Sequence, residues 1–316
     1  MGEKSKVCFV FPGQGSQYVG MGRELFEQFT IAKQVFKEAE EVLGSPLSRL
    51  CFSGPDAELK LTENTQPAIL TVSVAAFRVL ECESPLRAFC VAGHSLGEYS
   101  ALVAVGALSF RDALRIVQER GRLMQEAVAQ GEGSMAAILG LGAQEVQLVC
   151  EQASNGDVVS PANYNGGKQT VISGRREAVL RAMALARERG ARRVLELPVS
   201  APFHCLLMAP ASVGLEKVLA DVAVQPFFTG LITNVEATVN LDPGRVKSLL
   251  VEQVVRPVRW EESVQHVGAL GCRRVLELGP GKVLSGLVKR IDPSLEVTKF
   301  ENPEDIQDIV ADSGLQ

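Results

Sequence analysis

The chain is predicted to be an α/β protein, with a large α/β-hydrolase-like domain built on a mostly parallel sheet and a small ferredoxin-like βαββαβ subdomain inserted into it. Three observations predict this. The pentapeptide Gly93-His94-Ser95-Leu96-Gly97 lies between a short apolar run at 88–92 and a small-residue helical stretch at 96–108. That is the strand–turn–helix pattern of a nucleophile elbow, in which the glycines permit a sharp turn that lifts the serine hydroxyl out of the sheet. Apolar strand-length runs alternate with helix-length segments towards both ends, which suits a parallel sheet covered on both faces. Between 133 and 199 the rhythm becomes strand, helix, strand, strand, helix, strand, the split ferredoxin-like unit. The expected boundaries are 1–128 with 203–316 for the large domain and 129–202 for the small one, with a cleft between them.

Composition excludes several classes of function. The chain has 316 residues, and 32 basic against 37 acidic side chains give a net charge of −5, which argues against a nucleic-acid partner. No window approaches the roughly 18 apolar residues of a membrane span, so no membrane role is expected. The polar start 1–6 is too short for a signal peptide, so the chain is read as unexported. Seven scattered cysteines without a C-x-x-C pair read as buried thiols in a reducing compartment, not as disulfides or a zinc site.

Taken in order, residues 6–11 read as a buried strand ended by Pro12-Gly13-Gln14-Gly15. This loop is no dinucleotide fingerprint, because Tyr18 stands where the third glycine should fall. It is either a plain turn or a cradle whose amides face an oxyanion. A helix is expected over 23–43, an irregular stretch over 44–66, and a helix opened by Pro67 and running to 80. Strand 88–92 and the elbow follow. Ser109 to Asp112 then cap a helix whose apolar stripe includes Ala113, Ile116, Val117, Leu123 and Met124. Arg120 falls inside that stripe. A buried guanidinium needs an anion, which is either an internal carboxylate or the carboxylate of a substrate held by the two-pronged side chain. The small subdomain is expected as strands at 134–140, 158–163, 169–173 and 192–198 with helices at 143–153 and 176–188. The remainder gives strands at 231–235, 274–278 and 295–300 and helices at 243–255 and up to 290.

An elbow serine needs a base, and the chain holds three histidines. His94 adjoins Ser95 and should project away into packing, while His266 lies in an ordinary helical stretch. His204, in a loop at the domain junction, is the best base, with a helix-capping role as its alternative. Lys282, Lys289, Arg290, Arg273 and Arg274 make the C-terminal part locally basic, as a solvated face or as a landing site for an acidic partner.

Phe11-Pro12-Gly13-Gln14-Gly15-Ser16-Gln17, Gly93 to Tyr99, Gln118-Glu119-Arg120-Gly121 with Met124-Gln125, Pro198 to His204, and Gly279-Pro280-Gly281-Lys282 together resemble the malonyl-CoA:acyl carrier protein transacylases of fatty acid synthesis. The motifs run in family order from residue 11 to about residue 290, essentially the whole chain. The resemblance implies malonyl transfer from malonyl-CoA, through an acyl-serine on Ser95, to the phosphopantetheine thiol of an acidic acyl carrier protein. It implies His204 as general base, its imidazole oriented by the backbone carbonyl of Gln253, and the amides of Gln14 and Leu96 as the oxyanion hole. Arg120 would clamp the malonyl carboxylate, with Met124, Phe203 and Asn163 completing the substrate pocket. Phe203 resembles the malonyl-selective form of related polyketide acyltransferase domains, and Ala162-Asn163-Tyr164-Asn165 looks like a cleft segment of the family. Docking of the carrier protein on Lys282, Lys289 and Arg290 is a further expectation. The coenzyme A thioester is a substrate; no bound cofactor or metal is expected, and the protein is expected as a cytoplasmic bacterial monomer, or in an organellar matrix if a targeting segment was removed. Rival readings are a thioesterase, a non-catalytic carrier-docking module and an acyltransferase acting in trans for a polyketide pathway.

Overall fold

The computed structural model describes residues 6–199 and 201–311. The start 1–5, Ser200 in the segment leading to His204, and the terminal residues 312–316 lie outside them.

β1 (Val7–Phe11) is apolar and buried along its whole length, as a central parallel strand must be. The expected helix over 23–43 is two helices, α1 (Arg23–Gln28) and α2 (Thr30–Leu43), because Phe29 is extended at φ −114° and ψ 123°. The expected irregular stretch is also corrected. It holds α3 (Leu47–Ser53) and α4 (Asp56–Leu59), and the next helix begins at its end as α5 (Thr62–Glu83). Pro67 therefore lies inside α5 and does not open it. Proline removes one N–H, so at this point near the start only the bond to the carbonyl of Glu63 is lost. Burial of almost every residue from Thr65 to Leu80 outweighs that loss.

β2 (Cys90–Gly93), α6 (Gly97–Ala104) and α7 (Phe110–Glu126) follow, and the Ser109 hydroxyl caps α7 by accepting from the Asp112 amide at 3.0 Å. Then come β3 (Gly133–Leu139), α8 (Ala143–Ser154), β4 (Val159–Tyr164), β5 (Gln169–Arg175), α9 (Arg176–Glu188) and β6 (Arg193–Glu196). These four strands form a separate antiparallel sheet in the order β4-β5-β3-β6, covered by α8 and α9. A 3₁₀ turn (Leu206–Met208) and α10 (Ala209–Ala220) return the chain to the larger sheet. The remaining elements are β7 (Gly230–Ile232), β8 (Val239–Asn240), α11 (Pro243–Gln253), α12 (Trp260–Ala269), β9 (Arg274–Leu278), α13 (Val283–Ile291), β10 (Glu296–Phe300) and α14 (Asp305–Ala311).

The larger sheet runs β10-β9-β1-β2-β7-β8 and is parallel except at its β7–β8 edge. Its strands carry apolar residues on both faces, with one core cluster around α2, α5 and α7 and another around α12 and α13. Two backbone hydrogen bonds tie β4 to the connection between α11 and α12: Val258 donates to the Ala162 carbonyl and Tyr164 to the Val258 carbonyl, each at 2.9 Å. Among the described residues no helix is long and apolar enough to cross a membrane.

Candidate active site

Ser95 sits between β2 and α6 in the left-handed region, at φ 52°. The turn is tight enough that two of its glycines are sterically required. A Cβ on Gly93 would lie 1.9 Å from the carbonyl carbon of Gly97, and one on Gly97 would lie 2.0 Å from the carbonyl oxygen of Phe11. A left-handed serine is strained and persists only when its surroundings hold it. Asn234, just past β7, does so: its Oδ1 accepts from the Ser95 amide at 2.7 Å and its Nδ2 donates to the Gly93 carbonyl at 2.6 Å.

His204, also left-handed at φ 58°, presents Nε2 to Ser95 Oγ at 2.7 Å. Its Nδ1 lies 2.8 Å from the backbone carbonyl of Gln253. A carbonyl can only accept, so Nδ1 carries the proton and Nε2 faces the hydroxyl as an acceptor. Burial, reinforced by the nearby Arg120 charge, pushes the imidazole pKa down to about 3. At neutral pH the ring is uncharged and free to take a proton.

Arg120 projects inward from α7 and is 2% exposed. One of its terminal nitrogens donates to Gln66 Oε1 at 2.8 Å; the other donates to Gln253 Oε1 at 2.9 Å and to Ser95 Oγ at 3.1 Å. Its Nε is buried with no hydrogen-bond partner among the described residues. Among the described residues no carboxylate comes within ion-pair distance of it, so no internal ion pair forms there. The guanidinium lies over the Tyr99 ring instead, 5.4 Å from its centroid. Burial lowers the pKa of Arg120, yet arginine remains charged in proteins at neutral pH.

These groups open onto a cavity of about 110 Å³, lined by Gln14, Ser95, Leu96, Arg120, Met124, Asn163, Phe203 and His204 together with Gln66, His94 and Met135. The Gln14 and Leu96 amides lack hydrogen-bond partners among the described residues, while the Gln14 side chain is tied to Thr62 Oγ1 at 3.4 Å. Met124 is fully buried and takes a weak hydrogen bond on sulfur from Gln66. Asn163 sits at the bulge of β4 and bridges to Val258. His94 turns away from Ser95, to Asn165 Oδ1 at 2.9 Å and against the Trp260 ring. His266 lies on α12, and Lys282, Lys289 and Arg290 are exposed on and just before α13; none of the four lines the cavity.

The sequence reading missed Asn234, Gln66 and Glu98. Asn234 contacts residues some 140 positions away in the chain, and no local pattern signals that. Glu98 offered a signal, a carboxylate inside the small-residue helix that follows the elbow.

A hydroxyl held between a neutral imidazole and a cation, with unpaired amides opening on the same cavity, has what acyl transfer requires: a nucleophile, a base and donors for an oxyanion. The comparisons agree with that class. A family model described as an acyl transferase domain matches residues 8–296. The chain is 48% identical over 304 residues to the malonyl CoA-acyl carrier protein transacylase of Bacillus subtilis, covering 96% of each chain. Its fold matches the malonyl CoA-acyl carrier protein transacylase of Coxiella burnetii with a TM-score of 0.96 at 42% identity, over 98% of both chains. It also matches, with a TM-score of 0.96 at 41% identity, a malonyl-transacylase solved in complex with a type II PKS acyl-carrier protein, over 98% of this chain and 100% of that one. The chain belongs to the acyl transferase family.

Proposed function

We propose that this acyltransferase moves the malonyl group from malonyl-CoA to the phosphopantetheine thiol of an acyl carrier protein, supplying malonyl-carrier protein for fatty acid synthesis. One observation carries the reading: Arg120 is a buried cation without an ion-pair partner among the described residues, hydrogen-bonded to the same oxygen, Ser95 Oγ, that His204 faces. A buried guanidinium left unpaired is costly, and a substrate carboxylate supplies the missing anion. The names of the similar chains support the choice of malonyl-CoA and carrier protein.

Ser95 Oγ attacks the thioester carbonyl as His204 Nε2 takes its proton. The resulting oxyanion is held by the Gln14 and Leu96 amides, each donor of this kind contributing about 3 kcal/mol. Collapse breaks the C–S bond, and the departing coenzyme A sulfur receives the proton from His204. The carrier thiol then gives its proton to His204, attacks the acyl-serine, and Ser95 leaves reprotonated. The Gln253 carbonyl keeps the imidazole in the required tautomer, while Met124, Phe203 and Asn163 shape the pocket around the acyl group. Lys282, Lys289 and Arg290, exposed and without a described ion pair, form the proposed landing site for the acidic carrier. The thioester is the substrate, and this chemistry needs no resident cofactor.

The finer structural reading is of one α/β-hydrolase-like domain, 1–128 with 203–316, and a ferredoxin-like insert, 129–202, acting as a monomer. Six buried free thiols suit a reducing cytoplasm, or an organellar matrix after removal of a targeting segment. The likeness to a malonyl-transacylase solved with a polyketide carrier supports a second reading, in which the carrier belongs to a polyketide system.

The test is mass spectrometry of the intact protein mixed with malonyl-CoA or acetyl-CoA, for wild type, Ser95→Ala and Arg120→Ala. A malonyl adduct absent from Ser95→Ala, whose advantage over acetyl disappears in Arg120→Ala, is expected. Free malonate without an adduct would instead indicate a hydrolase.

A further inference from the structure

Beneath Ser95, His204 and Arg120 lies a buried acid that the mechanism does not use. Glu98, in the first turn of α6, is 2% exposed. Its Oε2 accepts from Gln253 Nε2 at 2.6 Å and from the Asn234 amide at 3.2 Å. Both donors have other duties in the site. Gln253 gives its backbone carbonyl to His204, its Oε1 to Arg120, and its Nε2 to the Ser95 carbonyl at 3.0 Å as well. Asn234 holds the elbow. One carboxylate therefore fixes the two residues that between them orient the nucleophile, the base and the guanidinium.

The geometry points to Glu98 as a positioning residue for the transfer reaction, setting the catalytic groups through Gln253 and Asn234 and lending Arg120 an internal counter-charge until a substrate carboxylate arrives. This rests on the functional reading above. Among the described residues Glu98 and Arg120 make no ion pair, but Gln253 bridges them, and within a buried site a charge one group away still acts. The titratable and charged groups around Glu98 are Arg120 of α7, which stabilises its ionised form, and Tyr99 of its own helix. Its polar neighbours from α11 and the end of β7 are the neutral Gln253 and Asn234. Burial raises the Glu98 pKa to about 7, so its charge changes within the range in which the enzyme can be assayed.

The test compares wild type, Glu98→Gln and Glu98→Ala. Three rates are read: malonyl and acetyl loading of Ser95 by rapid quench, and labelling of Ser95 by an uncharged fluorophosphonate. Glutamine can place an oxygen where Oε2 stood; alanine leaves the Asn234 amide and one N–H of the Gln253 side chain without this acceptor. Glu98→Ala is expected to slow malonyl loading by about 30-fold and fluorophosphonate labelling by about 10-fold, with Glu98→Gln within about 3-fold of wild type. In wild type the preference for malonyl over acetyl should weaken from pH 6 to 8, as Glu98 ionises and offsets Arg120, and Glu98→Gln should remove that trend. Folded Glu98→Ala loading at the wild-type rate, or Glu98→Gln as slow as Glu98→Ala, would overturn the inference. If Glu98→Ala does not fold, retention of the wild-type pH trend by Glu98→Gln overturns it. If wild type forms no malonyl adduct, the functional reading fails separately, and fluorophosphonate labelling decides the role of Glu98 by itself.

Discussion

A serine hydroxyl is a useful nucleophile only if its neighbour can take a proton, and the burial of His204 secures that state. With its pKa pushed down to about 3, the imidazole stays neutral through the ordinary pH range. Acetyl loading, which involves no substrate carboxylate, is therefore expected to show no histidine inflection between pH 8 and 5 in rapid-quench rates. The same shift bears on stability. Unfolded histidine binds a proton below about 6.5, whereas the folded one does so only near 3, so protons favour the unfolded chain between those values. Stability should fall as pH drops from 6.5 towards 3, and His204→Ala should flatten that part of the curve in urea-midpoint measurements. Arg120→Ala removes charge-assisted bonds of about 1.5–3 kcal/mol, so malonyl loading should drop roughly 10- to 150-fold with acetyl loading much less affected. Ser95, His204 and Arg120 could be singled out in the sequence because each was conspicuous locally: a serine between glycines, one of three histidines, a cation on an apolar stripe. Asn234 and Gln66 were not, since what makes them matter is a contact far along the chain.

At the scale of elements, the site depends on how closely β2, α6 and β1 approach. Gly97→Ala would drive a methyl into the Phe11 carbonyl, and overpacking of this sort costs about 1–3 kcal/mol or more. Reduced melting temperature together with slowed loading is expected, because the strained turn itself must shift. Ser109→Ala is a contrasting case: it removes the cap of α7, costing about 1 kcal/mol, and should lower the melting temperature while the malonyl preference remains. The alternation of strands and helices was readable from apolar spacing, and so was the change of rhythm that marks the second sheet. The 44–66 stretch was not, because Gly54-Pro55 reads as a turn and Pro67 as the first residue of a helix, whereas α5 begins at Thr62 and absorbs its proline by burying nearly every residue around it. β8, only two residues long, carries too little pattern to be seen.

For the molecule as a whole, the carrier surface is an electrostatic question. Reversing Lys282, Lys289 and Arg290 to glutamate should raise the KM for carrier protein about tenfold at low salt, with malonyl loading unchanged, because such charges act on encounter more than on chemistry. An unchanged KM would remove α13 from the docking surface. The two sheets also constrain traffic through the cleft. Val258, in the connection between α11 and α12, is hydrogen-bonded on both its N–H and its C=O to the strand that carries Asn163, so the wall of the cavity on that side is pinned to the segment that follows Gln253. Coenzyme A and the carrier's pantetheine arm would both have to reach Ser95 through this one small cavity, so each should act as a competitive blocker of the other's passage.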